Sequence, residues 1–253
     1  MQRASRTALL GAVVGAAVSL CGIAQASTLS VVTPTGSTDV SHNPVNASAT
    51  ITTGAGVVDI TLSNLQTNIL AADQLLSDIF FTLSGATSNP TYPSNHAQTQ
   101  NTVTVASDGT FTSGTNTVAW ALSENLGQVL LNGLGSNATV PAATCNQPAC
   151  TIIGPPTAPA GTTYSNANSS IAGNGPHNPF IFETANFEID VTGVTAGTTI
   201  SNIVFSFGTA SGDNITGVPS PVPLPASVPL FGSGLALLGW LGRRRKRAIT
   251  ATA

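Results

Sequence analysis

The side chains that could carry acid–base or metal chemistry in this chain are ten carboxylates and three histidines. Glu188 and Asp190 are the best-placed pair, because alternate residues of a strand share a face and stand about 7 Å apart. Two carboxylates at this spacing could serve glycoside hydrolysis or coordinate calcium. The simpler interpretation, which we favour, is the solvent face of an edge strand. Asp213, followed by Asn214 in a Ser- and Gly-containing loop, is a second candidate for calcium.

The histidines are the only side chains that could act as bases near neutral pH. His42, His96 and His177 each stand beside Asn and near Pro, a context that predicts exposed loops. The sequence has no His-Glu-x-x-His zinc motif, no Gly-x-Ser-x-Gly nucleophile elbow and no phosphate-binding glycine loop. We therefore predict no catalytic residue, no metal site and no cofactor, and a protein that is not an enzyme.

The cysteines indicate an oxidising compartment. Cys145 and Cys150 stand in the segment Cys-Asn-Gln-Pro-Ala-Cys, and the third cysteine, Cys21, lies near the N-terminus. A pair at this spacing in an exported chain predicts a disulfide. The closed loop is short, so the chain-entropy estimate of its stabilisation is only about 2 kcal/mol. A redox pair or a metal site is disfavoured, because the spacing is not Cys-x-x-Cys and no histidine is close in sequence.

Charge is divided between the ends and the middle of the chain. All seven Lys and Arg lie at Arg3, Arg6 and residues 243–247, and all ten Asp and Glu lie between Asp39 and Asp213. The net charge of −3 is therefore the sum of a charge of −10 in the middle region and +7 at the two ends. A middle without cations cannot neutralise phosphates, which excludes nucleic acid and anionic membrane surfaces as electrostatic partners.

The N-terminus has the parts of a secretory signal peptide. Two arginines precede an apolar run over residues 8–20, and Ala24 and Ala26 form an A-x-A cleavage site. We predict export through the Sec translocon and removal of residues 1–26 by signal peptidase. Ser27 would then be the first residue of the mature chain.

The C-terminal segment, residues 221–253, has three parts in a fixed order. The first should be extended, because proline fixes φ and lacks a backbone donor; it is Val222, Pro223, Leu224, Pro225, Ala226 and Ser227. An uncharged apolar stretch, residues 228–242, would rise about 22 Å as a helix, short of the roughly 30 Å hydrocarbon core. A basic block follows as a stop signal on the cytoplasmic side; it is Arg243, Arg244, Arg245, Lys246 and Arg247. The tail predicts a short transmembrane helix with a cleavable segment on its outer side.

This order of proline motif, short apolar helix and terminal Arg block resembles the PEP-CTERM sorting signal of Gram-negative bacteria, in its VPLPA form. Leu224 stands where the commonest form has Glu. The resemblance covers about a tenth of the chain. It implies recognition by an exosortase, a transient anchor in the inner membrane, cleavage near the motif and delivery to the cell surface or the extracellular space. The alternative is an ordinary membrane anchor that is never cut.

A narrower resemblance rests on the middle of the chain. The segment Phe-Ser-Phe-Gly-Thr, which begins at Phe205, and the long cysteine loop are similar to a PEP-CTERM subgroup called the cistern family. The name of that subgroup implies no molecular activity.

Between the targeting segments, residues 27–220 are long enough for one β-rich domain with its own core. Val58, Ile60 and Leu62 alternate with polar residues, as in a half-buried strand. Residues 28–33 and the runs that begin at Ile79 and at Val118 are further strand candidates, with Trp120 and Leu122 on the inward face of the last.

Four other segments of this middle region receive predictions. Residues 68–78 are the best candidate for a short helix, and residues 126–134 could be helix or strand. Residues 107–110, Ser-Asp-Gly-Thr, predict a hairpin, because Asp-Gly is the favoured pair of a type I′ turn. Residues 141–179 are rich in Pro, Gly, Asn and Ser and predict a long loop.

Two strands near the end of the domain have the clearest alternation. Phe187, Ile189 and Val191 face one way, and the run that begins at Ile203 continues with Phe205 and Phe207 on one face. We predict that these two strands pair antiparallel and share an aromatic core face. Strands at this spacing, with turns between them and no internal repeat, indicate a mainly β fold, a single β-sandwich or jelly-roll-like ectodomain.

Three functions from different classes fit these features. The first is a non-catalytic cell-surface or biofilm-matrix protein, sorted by an exosortase and associated with exopolysaccharide. The second is a carbohydrate-binding or adhesive module, which needs aromatic side chains that only Trp120, Tyr92 and Tyr164 could supply. We expect Trp120 to be buried, which leaves such a platform thin. The third, which we favour least, is a secreted hydrolase with paired carboxylates.

Overall fold

We describe the protein from a computed structural model covering residues 26–93, 98–118, 120–122, 125–136, 150–157, 163–210 and 212–220. Residues 1–25 of the predicted signal peptide, the predicted C-terminal sorting segment, His96 and Cys145 lie outside the described residues. Strands dominate, which confirms the mainly β prediction. The strands are β1 (Ser27–Val32), β2 (Ala47–Thr53), β3 (Val57–Asn64), β4 (Leu76–Leu83), β5 (Thr99–Val105), β6 (Phe111–Thr117), β7 (Trp120–Leu122), β8 (Gln128–Ser136), β9 (Ile152–Ile153), β10 (Phe180–Phe182), β11 (Thr184–Asp190), β12 (Ile200–Phe207), β13 (Asp213–Thr216) and β14 (Val218–Pro219).

The first sheet has five antiparallel strands in the order β11-β3-β2-β1-β14. Its strands alternate buried apolar residues with exposed or half-buried polar ones, as expected for a sheet with one face on the core and one in water. The alternation of Val58, Ile60 and Leu62 correctly predicted β3. The strand β2, with its Ala, Ser and Thr residues, carries too weak an apolar signal to be found by that criterion.

The second sheet has nine strands and curls around the same core. Its main path is β13-β12-β4-β9-β10-β5-β6, and β8 also pairs with β4 and carries β7. All of these pairings are antiparallel except that of β9 with β10. The apolar faces of both sheets meet in one large core, and a smaller cluster lies beside β5, β9 and β10.

The chain passes between the two sheets four times, and two of these crossings are made at a single residue. Glu183, with a left-handed φ of 61°, separates β10 from β11. Gly217 separates β13 from β14, and a Cβ there would stand 3.0 Å from the ring of Phe205. The crossing at Gly217 leads into β14, the last described strand, which pairs with the first, β1.

The helix predicted over residues 68–78 was wrong. One 3₁₀ turn, Ala72–Gln74, is present, and β4 begins at Leu76. The side chain of Gln74 takes the place of helical backbone partners, since its oxygen accepts hydrogen bonds from the backbone N–H groups of Leu70 and Ala71. The undecided residues 126–134 contain most of strand β8.

The hairpin of β5 and β6 is confirmed, but its turn is not type I′. Gly109 has φ +80°, whereas Asp108 is not left-handed, and a type I′ turn needs both. Gly109 donates to the carbonyl of Ala106, and Ala106 donates to that of Thr110, which describes a type I turn followed by a bulge. The Asp108 carboxylate stabilises this form because it accepts hydrogen bonds from both the N–H and the hydroxyl of Thr110.

The predicted pairing of the two late strands was also wrong. β11 pairs with β3 in the first sheet, whereas β12 pairs with β4 and β13 in the second. Their apolar faces do share the core, as Phe187 and Phe205 both belong to it. Alternation with period two determines which face of a strand is buried but does not determine its neighbour.

The predicted loop, residues 141–179, contains more order than its composition suggests. It includes β9, and the described part carries Tyr164 and Ile171, both fully buried in the smaller cluster. Within the described residues no helix is long and apolar enough to cross a membrane. The predicted transmembrane helix, residues 228–242, lies outside them.

Candidate functional site: a polar face with a carboxylate pair

The outer face of the five-stranded sheet carries an ordered array of polar side chains. Register across β1, β2, β3 and β11 places these side chains in three rows, in which only Val32 is apolar. The rows are Thr28–Thr52–Asp59–Glu188, Ser30–Thr50–Thr61–Asn186 and Val32–Ser48–Ser63–Thr184. Neighbouring strands lie about 4.8 Å apart, so the array is a regular grid of oxygen and amide groups.

Neighbouring side chains within these rows hydrogen bond to one another. The hydroxyls of Thr28 and Thr52 are 3.1 Å apart, and those of Ser63 and Thr184 are 2.8 Å apart. The Thr61 hydroxyl donates to Oδ1 of Asn186 at 2.9 Å. Cross-strand Thr and Ser pairs of this kind stabilise a sheet modestly and fix the directions of the hydroxyl groups.

One carboxylate pair interrupts the neutral grid. Glu188 in β11 is in direct register with Asp59 in β3, whereas Asp190 is opposite Val57. Side chains directly opposite have Cβ atoms about 4.5–5.5 Å apart, closer than the two acids along one strand. The sequence therefore indicated the correct face for Glu188 but missed Asp59, its nearest acidic neighbour, because register joins residues that are far apart in the chain.

A groove of about 300 Å³ runs beside this pair. One wall is the sheet face that carries Asp59, Thr61, Asn186 and Glu188, and Gln98 and Thr99 come from the other sheet. The two acids on one wall form an acceptor-rich surface. They stand side by side and do not face each other across the groove.

The side-chain amides of Gln98 and Gln100 join the two sides of the groove, because they hydrogen bond to the backbone of β11 as a neighbouring strand would. Gln100 donates from Nε2 to the Asn186 carbonyl and accepts from the Asn186 N–H at 3.0 Å. Gln98 makes the same two bonds to the backbone of Glu188, at 3.0 and 3.4 Å. Both side chains are buried, 7% and 4% exposed, so these amides satisfy the free edge of β11. The alternation Gln-Thr-Gln was the sequence signal that could have revealed this contact.

The side chains of Tyr92, Trp120 and Tyr164 do not form an exposed platform. Trp120 is 1% exposed, packs on Phe187 with ring centroids 5.0 Å apart, and donates from Nε1 to the carbonyl of Cys150. The prediction that Trp120 is buried is confirmed. Tyr164 donates to Gly154 and is fully buried, and the hydroxyl of Tyr92 donates to the carbonyl of Trp120. Burial raises the pKa of both tyrosines well above the ordinary value.

The described histidines do not approach the carboxylate pair. His42 is exposed in a turn with φ 64°, as predicted. His177 is half-buried, contrary to the exposed position predicted, because its Nδ1 hydrogen bonds with the carbonyl of Ser170 at 2.5 Å.

The other candidate calcium ligands are occupied by protein donors. Oδ2 of Asp213 accepts from the backbone of Val40, and Oδ1 of Asn214 accepts from the Ser206 hydroxyl. Burial, together with the charges of Asp39 and Asp73, raises the pKa of Asp213. In the part of the chain that the structure describes, no group of three or more His, Cys, Asp or Glu could hold a metal ion.

Cys150 is disulfide-bonded and fully buried. Its backbone N–H donates to Pro179 and its carbonyl accepts from Trp120, so the disulfide is attached to the core. Cys145, the predicted partner, lies outside the described residues, as do Ala24, the proline motif and the basic block. Of the predicted signal peptidase site, Ala26 and Ser27 are described, and both are exposed; Ser27 begins β1.

No family model matches this chain, and neither a curated protein nor a solved structure matches it.

Proposed function

We propose that this is an exported, non-catalytic protein of the cell surface or extracellular matrix, sorted by an exosortase and associated with exopolysaccharide. The Sec translocon and signal peptidase handle its N-terminus, and residues 228–242 anchor it transiently in the inner membrane. Exosortase then cleaves near the motif at residues 222–227. The molecule has no nucleic-acid partner and uses no cofactor.

The observation that carries this proposal is the separation of charge along the chain. All ten acids belong to residues 27–220, whereas each cation lies in a terminal segment with the features of a targeting signal. The adjacency of β1 and β14 supports it, because both targeting segments are then attached at one edge of a single folded unit. We assign this unit to the β-sandwich or jelly-roll-like class, since two sheets share one core and the chain crosses between them.

Intact mass of the protein recovered from the cell surface tests the proposal. In the parent strain we expect a mass that corresponds to residues 27 to about 226, since signal peptidase and exosortase each remove one end. In a strain without exosortase, the C-terminal segment should remain. A matched control replaces the residues of the basic block with neutral ones, which should reduce retention at the membrane. A mass that keeps the basic block in both strains would contradict sorting and leave a plain membrane anchor.

A second candidate function, carbohydrate binding, rests on the polar face described above. A grid of hydroxyl, amide and carboxylate groups matches the hydrogen-bonding groups of a polysaccharide, although Trp120 and Tyr164 are buried and Tyr92 is half-buried. A hydrolase would place its two acids on opposite sides of the scissile bond, whereas Asp59 and Glu188 share one wall. The geometry therefore favours binding over hydrolysis.

Retention on immobilised exopolysaccharide from the producing strain tests this second candidate. We expect Asp59→Asn combined with Glu188→Gln to change retention, because both substitutions act on the groove. Asp108→Asn, at the exposed tip of the β5–β6 hairpin, is the control, because it neutralises one acid that lies outside the groove. Equal retention of all variants would remove the groove as a binding site.

A further inference from the structure

Strand β6 lies at one end of the nine-stranded sheet. β5 pairs with it along its whole length, and in the described part of the chain no strand pairs with its other side. The four successive residues 112–115 are exposed. Since successive side chains of a strand point to opposite faces, water reaches both faces of β6 over this length. The outer backbone edge between these faces is therefore accessible to a partner.

The hydrogen-bonding phase of the hairpin determines which backbone groups point to the outer side of β6. Ala106 donates to the carbonyl of Thr110 at one end of the β5–β6 ladder, and Val118 donates to that of Gln98 at the other. Hydrogen-bonded and non-hydrogen-bonded pairs alternate along an antiparallel ladder, so the even-numbered residues of β6 bond to β5. Residues 111, 113 and 115 therefore direct their N–H and C=O groups to the open side.

β6 lacks the devices by which proteins usually block an open strand edge. Its sequence, Phe-Thr-Ser-Gly-Thr-Asn-Thr, contains no lysine, no acid and no proline. The other sheet ends in the described residues differ. β14 ends in Pro219, β13 contains Asp213, β7 has only three residues, and β11 is hydrogen bonded to the side chains of Gln98 and Gln100. The edge of β6 is therefore the one best suited to pairing with another chain.

Charge selects how two copies of this domain could approach each other. Residues 27–220 carry ten acids and no cation, so two copies repel wherever their acids meet, but β5 and β6 contain no charged residue. Asp108, in the turn between them, is the acid of this hairpin. Antiparallel pairing of two β6 strands puts the two turns at opposite ends. At about 3.4 Å per residue the two Asp108 residues are then about 30 Å apart, well beyond the Debye length of about 8 Å at 0.15 M salt.

We propose that β6 pairs antiparallel with β6 of a second copy of this chain, about a two-fold axis at Ser113. Ser113 then pairs with its own copy and Phe111 with Thr115, and each facing pair exchanges two hydrogen bonds. The contact is self-complementary, because the residues that point outward are symmetric about Ser113. It buries far less than the roughly 1,200 Å² of a standard interface, so the dimer is weak and forms at high local concentration. The proposal does not depend on the function proposed above, although a surface layer or matrix would supply that concentration.

Cysteine cross-linking of the full chain in detergent micelles, in a Cys21→Ser background, tests the register. In the proposed pair, the Cα atoms of Ser113 and its copy are about 5.5 Å apart, which suits a disulfide. Those of Thr115 and its copy are about 14 Å apart, four residues out of register. We expect Ser113→Cys to form disulfide-linked dimers under copper phenanthroline at least tenfold faster than Thr115→Cys, the control on the same exposed edge. Equal rates for the two variants would overturn the proposal.

Amide exchange of Thr115, followed by NMR in the same micelles at low and high protein concentration, tests the ladder without a cross-link. Ser113→Pro removes an N–H that points to the partner, and proline is tolerated in an edge strand at such a position. Ser113→Ala keeps the donor and is the matched control. We expect exchange at Thr115 to slow several-fold at high concentration in the parent chain and in Ser113→Ala, and to stay constant in Ser113→Pro.

Gly114 reports whether the hairpin itself survives the substitution, because its position in the ladder directs its N–H to β5. Its exchange should therefore be the same in Ser113→Pro and in Ser113→Ala. Exchange at Thr115 that is independent of concentration in the parent chain would contradict the pairing. Slowing that persists in Ser113→Pro with Gly114 protected would also contradict it, because another surface would then form the contact.

Discussion

Asp78 lies in β4 on the opposite face from Ile79 and Phe81, yet it is only 8% exposed. Its register partners are Ser206 in β12 and Asn132 in β8, and neither of these strands carries a charged residue. Oδ1 of Asp78 has no hydrogen-bond partner. Burial raises the pKa of this carboxyl, and the hydrogen bond with Ser206 opposes the shift less strongly. A buried acid without a cation is favoured in its neutral form.

Asp78→Asn should therefore stabilise the domain at neutral pH. The pKa of Asp78 is raised in the folded state, so stability is lost as pH rises from about 3.8 through the folded pKa. Asparagine has no such loss, and we expect a gain of about 1–3 kcal/mol at pH 7.5 and little change at pH 3.5. Urea unfolding at both pH values measures it.

Asp108→Asn is the control, because the contribution of Asp108 to stability depends on pH in the opposite direction. The side-chain and backbone hydrogen bonds from Thr110 lower the pKa of Asp108, so its contribution is present above its unfolded pKa and is lost as pH falls. A destabilising effect of Asp78→Asn at pH 7.5 would show that the Asp78 carboxylate has a partner or a cation in solution.

The edge of β11 illustrates how one element completes another in this fold. An unpaired strand edge exposes donors and acceptors that invite pairing with other chains. Here the side chains of Gln100 in β5 and of Gln98, which immediately precedes β5, supply those partners, so the two sheets are joined without a continuous ladder. Amides suit this position because each offers one acceptor and two donors in a fixed plane.

Gln100→Ala should loosen this junction. The N–H and C=O of Asn186 would lose their buried partners, at a cost of about 1–3 kcal/mol in the free energy of unfolding. Amide exchange of Asn186 should accelerate more than that of Phe187, whose position in β11 faces the core. Thr99→Ala, between the two glutamines and exposed, is the control. Unchanged exchange at Asn186 would show that another group covers the β11 edge.

At the scale of the whole molecule, residues 27–220 carry ten acids and no cation. Self-repulsion between these charges opposes the compact state, and no salt bridge within this region can offset it. The nine acids among the described residues lie in both sheets and in the connecting segments, so the effect belongs to the domain as a unit.

A chain of residues 27–220 should become more stable as ionic strength rises. Between 10 and 150 mM NaCl the Debye length falls from about 30 to 8 Å, and we expect Tm to rise by about 2–4 °C. Calcium chloride at equal ionic strength is the informative comparison: an equal shift indicates screening alone, and a larger one indicates a bound cation. A Tm that falls with added NaCl would contradict the repulsion argument.

Composition and local pattern determined much about this protein. Charge partition and the terminal motifs led to the targeting predictions, and strict alternation identified β3, β11 and β12 and the burial of Trp120. These features are local, because hydrophobic periodicity reports directly which face of a strand is buried.

Apart from the β5–β6 hairpin, which the sequence indicated, only tertiary structure decided which strands are neighbours. It placed β11 and β12 in different sheets and brought Asp59 opposite Glu188. At residues 68–78, where the sequence predicted a helix, it formed a turn that the Gln74 side chain stabilises. Each of these outcomes depends on contacts between residues far apart in the chain. Register and sheet order minimise the energy of the whole core, so a pattern that is satisfied equally by several partners cannot select one.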